Sequence, residues 1–153
     1  MLSQDDAHRM AHSWWAKKRY RSINLFYFWS RDFPNKEQIW EDLIFLTKDK
    51  KSYIKQDVKD VFSFIFKEIA DKEKGWQDLH ELTMHEDFEV RCTAIYTIGN
   101  VFEQIPDKKT AWEDIHRLIT DEHIDVQLFE ITALVQLSSI FPIKNMHGRT
   151  YID

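Results

Sequence analysis

The sequence is poor in the residues that turn-rich folds, disulfide frameworks and phosphate-binding loops require. Its 153 residues include one cysteine, three glycines and three prolines. A single cysteine, Cys92, excludes an internal disulfide and a zinc site built from cysteines. So few glycines and prolines argue against a β-sandwich or barrel and against a glycine-rich phosphate-binding loop.

The chain also lacks the positive charge that general nucleic-acid binding requires. Its formal net charge is −5, whereas a phosphate backbone attracts lysine and arginine. The first six residues are polar and acidic, and the most apolar run, residues 23–29, is too short to cross a bilayer. We therefore expect no signal peptide, no membrane association and a cytoplasmic location.

What the sequence does contain is a repeat of 36 residues. Trp40, Trp76 and Trp112 each begin the pattern Trp-x-Asp-Leu/Ile, and a leucine lies six residues after each tryptophan. Repeats of this length are typical of stacked supersecondary units. We predict a single domain over 1–153, with a degenerate unit at 1–36, further units at 37–72, 73–108 and 109–144, and a tail at 145–153.

Each unit has the apolar spacing of two helices. In one first helix, Trp112, Ile115 and Leu118 fall on one stripe, and in one second helix Val90 and Ala94 do the same. Two short helices cannot bury their stripes alone, but stacked pairs share a core. The predicted fold is all-α, an αα-superhelix of the armadillo/HEAT α-solenoid type.

Local signals also predict where the helices begin and which charges pair. Thr110 is three residues before a glutamate, as in a capping box, and Ser52 is expected to be an N-cap. Arg91 lies four residues after Asp87, which predicts an ion pair at the start of that helix and a ladder to the next unit.

The pattern over residues 87–99, Asp-Phe-Glu-Val-Arg-x-x-Ala-x-x-x-Ile-Gly, resembles the second helix of HEAT-like repeats of the type found in phycobilisome lyase subunits. The resemblance extends over about residues 37–144, although only the 73–108 unit has the full pattern, and Glu130 replaces the small alanine in the last unit. It implies a scaffold that hosts many roles. It also implies, as an alternative function, a lyase-like accessory subunit, for which no bilin-binding residue can be assigned.

The histidines do not form a recognisable metal motif in the sequence. His80 and His85 are five residues apart, so they diverge on a helix, unlike the four-residue spacing of zinc proteases. His8, His80 and His116 occupy equivalent repeat positions but belong to units about 10 Å apart, too far for shared ligation. We predict no metal, no cofactor and no catalytic residue, and we expect Cys92 to be a structural thiol.

The N-terminal segment combines aromatic and basic residues. Residues 1–36 carry seven Lys and Arg against three Asp and Glu. Aromatic rings stack on bases and cations hold phosphates, so nucleic acid is an alternative partner that the acidic remainder of the chain disfavours. The candidate patch for an anionic partner consists of Trp14, Trp15, Lys17, Lys18, Arg19 and Arg21.

The leading functional hypothesis is a non-catalytic scaffold that binds a protein or peptide. In a solenoid, the second helices line the concave surface, and a mixed aromatic and charged groove suits a polypeptide. The apolar ends of the array are an alternative route to homo-oligomers. The predicted concave residues are Lys59, Ser63, Lys67, Tyr96, Asn100 and Glu103.

Overall fold

The structure, a computed structural model, describes residues 2–138 and confirms the all-α prediction for them. Residues 139–144 of the last predicted unit and the predicted tail at 145–153 lie outside this range. No strand occurs in the described part, and none of its helices is long and apolar enough to span a bilayer. The eight helices are α1 (Gln4–Ala11), α2 (Ala16–Trp29), α3 (Lys36–Thr47), α4 (Ser52–Glu68), α5 (Lys72–Leu82), α6 (Phe88–Val101), α7 (Lys108–Leu118) and α8 (Ile124–Ser138), with a 3₁₀ turn at Phe102–Gln104.

Helices α3, α5 and α7 begin in the same way. Asn35, Asp71 and Asp107 are their N-caps, and each side chain accepts a hydrogen bond from the backbone N–H three residues later. The capping box predicted at Thr110 is therefore wrong. Both the backbone N–H and the hydroxyl of Thr110 donate to Asp107, at 3.0 and 2.7 Å, so the helix begins one turn earlier.

The N-cap predicted at Ser52 is also wrong, by one residue. Lys51 is the N-cap of α4, and Ser52 is the first helical residue. The Ser52 hydroxyl donates instead to Glu89, at the start of α6. Ser52, which the sequence suggests as a cap of its own helix, thus connects α4 to α6.

The first residue of α3, α5 and α7 is a lysine that contacts the segment after the preceding even-numbered helix. Lys36, Lys72 and Lys108 follow one another at 36-residue intervals, and each ammonium donates to the backbone carbonyl three residues before it. Ile69 and Ile105 are the C-caps of α4 and of the 3₁₀ turn. Carbonyls at a helix C-terminus lack an intrahelical partner and carry partial negative charge, so a cation stabilises them there.

The even-numbered helices pack side by side. Helix α4 lies between α2 and α6, and α6 lies between α4 and α8, while each odd-numbered helix contacts the even-numbered helix that follows it. The interior contains fully buried side chains of α2, α4 and α6, among them Phe26, Phe62, Phe66, Ile95 and Ile98.

The three tryptophans occupy the fifth position of α3, α5 and α7. Trp40 and Trp76 are buried, and Trp112 is half-buried. The Trp40 ring lies 4.4 Å from the Phe62 ring, centroid to centroid, and its indole N–H donates to Asp78 at 2.8 Å. Trp40 therefore joins its own helix pair to the next one.

Partly buried ion pairs connect successive helix pairs. Arg91 binds Asp121 through two nitrogens at 2.8 Å, and Asp87 binds Lys55 at 2.5 Å. The predicted pairing of Arg91 with Asp87 is therefore wrong, because each of the two residues contacts a different neighbouring pair.

Candidate interaction groove on the even-numbered helices

The predicted concave residues lie on neighbouring even-numbered helices and on the turn after α6. Lys67 and Glu103 are exposed, Lys59, Tyr96 and Asn100 are half-buried, and Ser63 is buried. The hydroxyl of Ser63 has no hydrogen-bond partner among the described residues. The structure brings Lys59 and Tyr96 together, whereas Lys67 and Glu103 stand apart from them on the surface.

Lys59 lies over two aromatic rings. Its Nζ atom is 5.7 Å from the centroid of the Tyr96 ring and 4.9 Å from that of Phe129, and the two rings meet edge to face at 6.1 Å. A cation over the face of an aromatic ring is attracted by the ring quadrupole. Phe129 was not predicted as a groove residue, because its place in the last repeat suggested only a role in the apolar C-terminal end of the helix array.

A cleft of about 230 Å³ opens beside this lysine, between α4, α6 and α8. Its lining combines basic, acidic, thiol and aromatic side chains. The lining residues are Lys55, Gln56, Lys59, Phe88, Glu89, Cys92, Thr93, Asp125 and Phe129.

The two lysines of the cleft differ in their partners. Burial would lower the pKa of Lys55, but hydrogen bonds to Asp87 and Glu89, each at 2.5 Å, raise it above its usual value. Lys55 is therefore charged and already paired. No carboxylate of the described residues lies within ion-pair distance of Lys59, so Lys59 is the cation that the cleft offers to a ligand.

The tyrosine at the edge of the cleft is held by its neighbours. Burial, together with the charge and hydrogen bond of Asp60, raises the pKa of Tyr96 above its usual value. The Asn100 amide donates to the Tyr96 carbonyl at 2.8 Å. Tyr96 is therefore a neutral phenol that hydrogen-bonds to Asp60, and its ring lies beneath the Lys59 ammonium.

The thiol in the cleft is not a nucleophile at neutral pH. Burial raises the pKa of Cys92 to about 12. A thiol must be deprotonated to attack an electrophile or bind a metal. Cys92 therefore lines the cleft as a small apolar side chain.

The predicted anionic-partner patch is divided by the structure. Trp14, which is 89% exposed, stacks on Trp15 with ring planes 11° apart. Arg19, in contrast, binds Asp49 at 2.5 Å, and its side chain is only 14% exposed. The exposed cations of the patch are Lys17, Lys18 and Arg21.

Both ends of the helix array expose apolar side chains. On α2, Tyr27 and Phe28 are 61% and 71% exposed. On α8, Ile124, Leu128 and Ile131 are exposed at helical spacing. Self-association through these ends stays a prediction.

Two of the three equivalent histidines bind an aspartate of the next tryptophan motif, whereas His116 contacts the backbone carbonyl of Trp112 at 3.0 Å. His8 contacts Asp42 at 2.8 Å, and His80 contacts Asp114 at 2.6 Å. His12, which was not expected at this position, also places a ring nitrogen 2.8 Å from Asp42. The four-residue spacing of His8 and His12 was the available signal.

Comparison of the chain with protein-family models, with curated proteins and with solved structures found no match in any of the three.

Proposed function

We propose that the chain is an α-solenoid of four HEAT-like units and that its even-numbered helices form a surface for binding a protein or peptide. The side-by-side packing of α2, α4, α6 and α8 supports the solenoid. The recurrence of the same caps at 36-residue intervals supports it too, because equivalent residues of stacked units are expected to make equivalent contacts.

The observation that carries the binding proposal is the position of Lys59. Lys59 is half-buried, and its ammonium lies over the rings of Tyr96 and Phe129, next to the cleft. No carboxylate of the described residues forms an ion pair with it. Burial strengthens the attraction between a cation and an incoming carboxylate. Aromatic anchors are enriched at the energetic centres of interfaces. The groove therefore suits a peptide that presents a carboxylate beside an apolar side chain.

A peptide-display selection tests this proposal. We expect the wild-type chain to enrich peptides with an acidic residue next to an aromatic or aliphatic one. The Lys59→Glu variant should bind the selected peptides at least about tenfold more weakly, because it replaces attraction with repulsion of the ligand carboxylate.

The matched control is Lys109→Glu, which makes the same charge change at an exposed position of α7. It should keep the wild-type affinity. Equal weakening by the two variants would show that binding follows net charge rather than the groove, and would contradict the proposal.

The exposed tryptophans favour a second candidate, an anionic partner such as a single-stranded nucleic acid at the N-terminal patch. Trp14 and Trp15 present stacked rings next to Lys17 and Lys18. The test is salt-sensitive retention of a single-stranded oligonucleotide. It should be lost when Lys17, Lys18 and Arg21 are changed to glutamine and Arg19 is kept. Retention that persists in this variant would eliminate the patch as the site.

A further inference from the structure

Two histidines and an aspartate converge between α1 and α3. His8 is in α1, His12 is the C-cap of that helix, and Asp42 is in α3. The His8 Nδ1 and His12 Nε2 atoms each lie 2.8 Å from the same Asp42 oxygen, Oδ1. One potential ligand atom from each of the three side chains falls within 4.8 Å of the others.

The carboxylate of this group is buried and only half satisfied. The Asp42 side chain is 2% exposed, and its second oxygen, Oδ2, has no hydrogen-bond partner among the described residues. An unpaired buried oxygen of a carboxylate is costly, because it has lost water without gaining another donor. A cation held at this place would compensate for that loss.

The equivalent site two repeat lengths later shows what is different here. Asp114 accepts a hydrogen bond from His80 on one oxygen and from Arg117 on the other, at 2.6 and 3.1 Å. Both of its oxygens therefore have donors.

At the first site, two residues next to the histidine and aspartate differ from those at the later site. His12 stands where the later site has Met84, and Phe45 stands where it has Arg117. The His12 and Phe45 rings pack at 4.4 Å, centroid to centroid. The first site thus has a second imidazole in place of the guanidinium of the later site. Its aspartate faces two imidazole nitrogens instead of one imidazole and one arginine.

We propose that His8, His12 and Asp42 bind a divalent first-row transition metal ion, with Zn²⁺ as the probe. Two imidazoles and a carboxylate are a common ligand set for such ions. Ligand atoms about 2.0–2.2 Å from a tetrahedral ion lie about 3.4 Å from one another, so small side-chain rotations convert the hydrogen-bonded group into a coordinating one. Both imidazoles are 41% exposed, which leaves the remaining coordination positions open to water or to a further ligand.

Calorimetric titration of the full chain with Zn²⁺ tests the proposal, together with the visible absorption of Co²⁺ in place of Zn²⁺. We expect one ion per chain and a rise in the thermal unfolding temperature on metal addition. His12→Met and Asp42→Asn should each weaken binding by more than about 100-fold, because even indirect partners of metal ligands are worth about 10- to 100-fold. His80→Asn, at the equivalent site, should leave it unchanged.

The His12→Met variant keeps the test decisive if Asp42→Asn fails to fold, because the His12 side chain is partly exposed and Met84 already occupies the equivalent position. Absence of a Zn²⁺ heat and of a Co²⁺ spectrum in the wild type would overturn the proposal. Binding that is undiminished in His12→Met, or lost in His80→Asn, would overturn it as well.

The repeat offers a gain-of-function test. Changing Met84→His and Arg117→Phe together gives the later site the residues of the first one, so the chain should then bind two ions. A stoichiometry that stays at one would overturn the comparison of the two sites.

Discussion

Arg19 and Arg91 are two repeat lengths apart and make the same contacts. Each binds an aspartate thirty residues later, Asp49 or Asp121, through two nitrogens. Each also donates its third nitrogen to two carbonyls of the preceding loop. Arg19, which looks in the sequence like one cation of a basic patch, is therefore a structural residue.

Replacing Arg19 with methionine should destabilise the fold by about 3–5 kcal/mol, because it leaves the buried Asp49 carboxylate without its partner. Arg21→Met removes the same charge at an exposed position of the same helix and should change stability by less than about 0.5 kcal/mol. Urea unfolding of both variants measures the difference. Equal losses of unfolding free energy would contradict the structural role of Arg19.

Glu130 is a buried carboxyl at the position that Ala94 occupies one repeat earlier. One of its oxygens has no hydrogen-bond partner among the described residues, and burial raises its pKa above the usual 4.5. The folded state therefore favours the neutral acid. Its cost to stability grows as the pH rises above 4.5 and remains at neutral pH.

Glu130→Met should accordingly stabilise the chain at pH 7, by about 1–3 kcal/mol, since it removes an unsatisfied buried group and keeps the volume. The gain should shrink as the pH is lowered towards 4.5. Thermal unfolding over this pH range checks it, with Glu113→Met at an exposed position of α7 as the control. A gain that is independent of pH would show that the carboxyl charge is not the cause.

At the scale of the elements, the order of the helices was predictable and the details of their ends were not. The apolar spacing around Trp40, Trp76 and Trp112 suffices to place the helix pairs that contain them. The starts were misplaced at Ser52 and Thr110 because both residues are suitable caps by type. Their hydroxyls are instead engaged by acidic side chains that propensity rules do not take into account.

Packing of α6 against α8 depends on a glycine. A β-carbon at Gly99 would lie 2.9 Å from the Ala133 Cβ and 3.1 Å from its Cα, so α8 would have to move. Gly99→Ala should therefore destabilise the chain by about 1–3 kcal/mol, although alanine favours a helix by about 1 kcal/mol.

The control for this change is Gly75→Ala in α5. Its nearest obstacle is the Ile69 Cδ1 atom, the flexible end of a side chain, so the helix need not move. The thermal unfolding temperature should fall further for the Gly99 variant than for the Gly75 variant. The reverse order would contradict the close approach of α6 and α8.

At the scale of the whole molecule, acidic residues that join successive helix pairs should control acid stability. Burial alone would raise the pKa of Asp49, Asp87 and Asp121, but hydrogen bonds from their basic partners and from backbone N–H groups lower it below the usual 3.8. Their contribution is therefore fully present above about pH 5 and is lost as the pH falls through their folded pKa values.

We expect the contribution of these three aspartates to the free energy of unfolding to be constant near neutral pH and to fall steeply below about pH 4. The loss on acidification should be smaller in Arg19→Met, in which Asp49 no longer has its arginine partner. Unfolding free energies measured between pH 6 and about pH 3 test this. An unchanged pH dependence in the variant would contradict the assignment.

The proposed binding regions could be predicted from the sequence only in part. Lys59 and Tyr96 follow from the repeat register, which places them on second helices. The contact of Lys59 with Phe129 and the convergence of His12 on Asp42 join residues of different helix pairs. They depend on how those pairs pack, and the periodicity of one helix does not determine that packing.

We have proposed that the even-numbered helices carry a polypeptide-binding groove around Lys59, Tyr96 and Phe129. The most direct measurement is a map of backbone amide NMR shifts on adding a peptide selected on the wild-type chain. If the groove binds the peptide, the perturbed amides should cluster in α4, α6 and α8 around the cleft. Perturbations centred on α3, α5 and α7, or on the segment from Trp14 to Arg21, would contradict it.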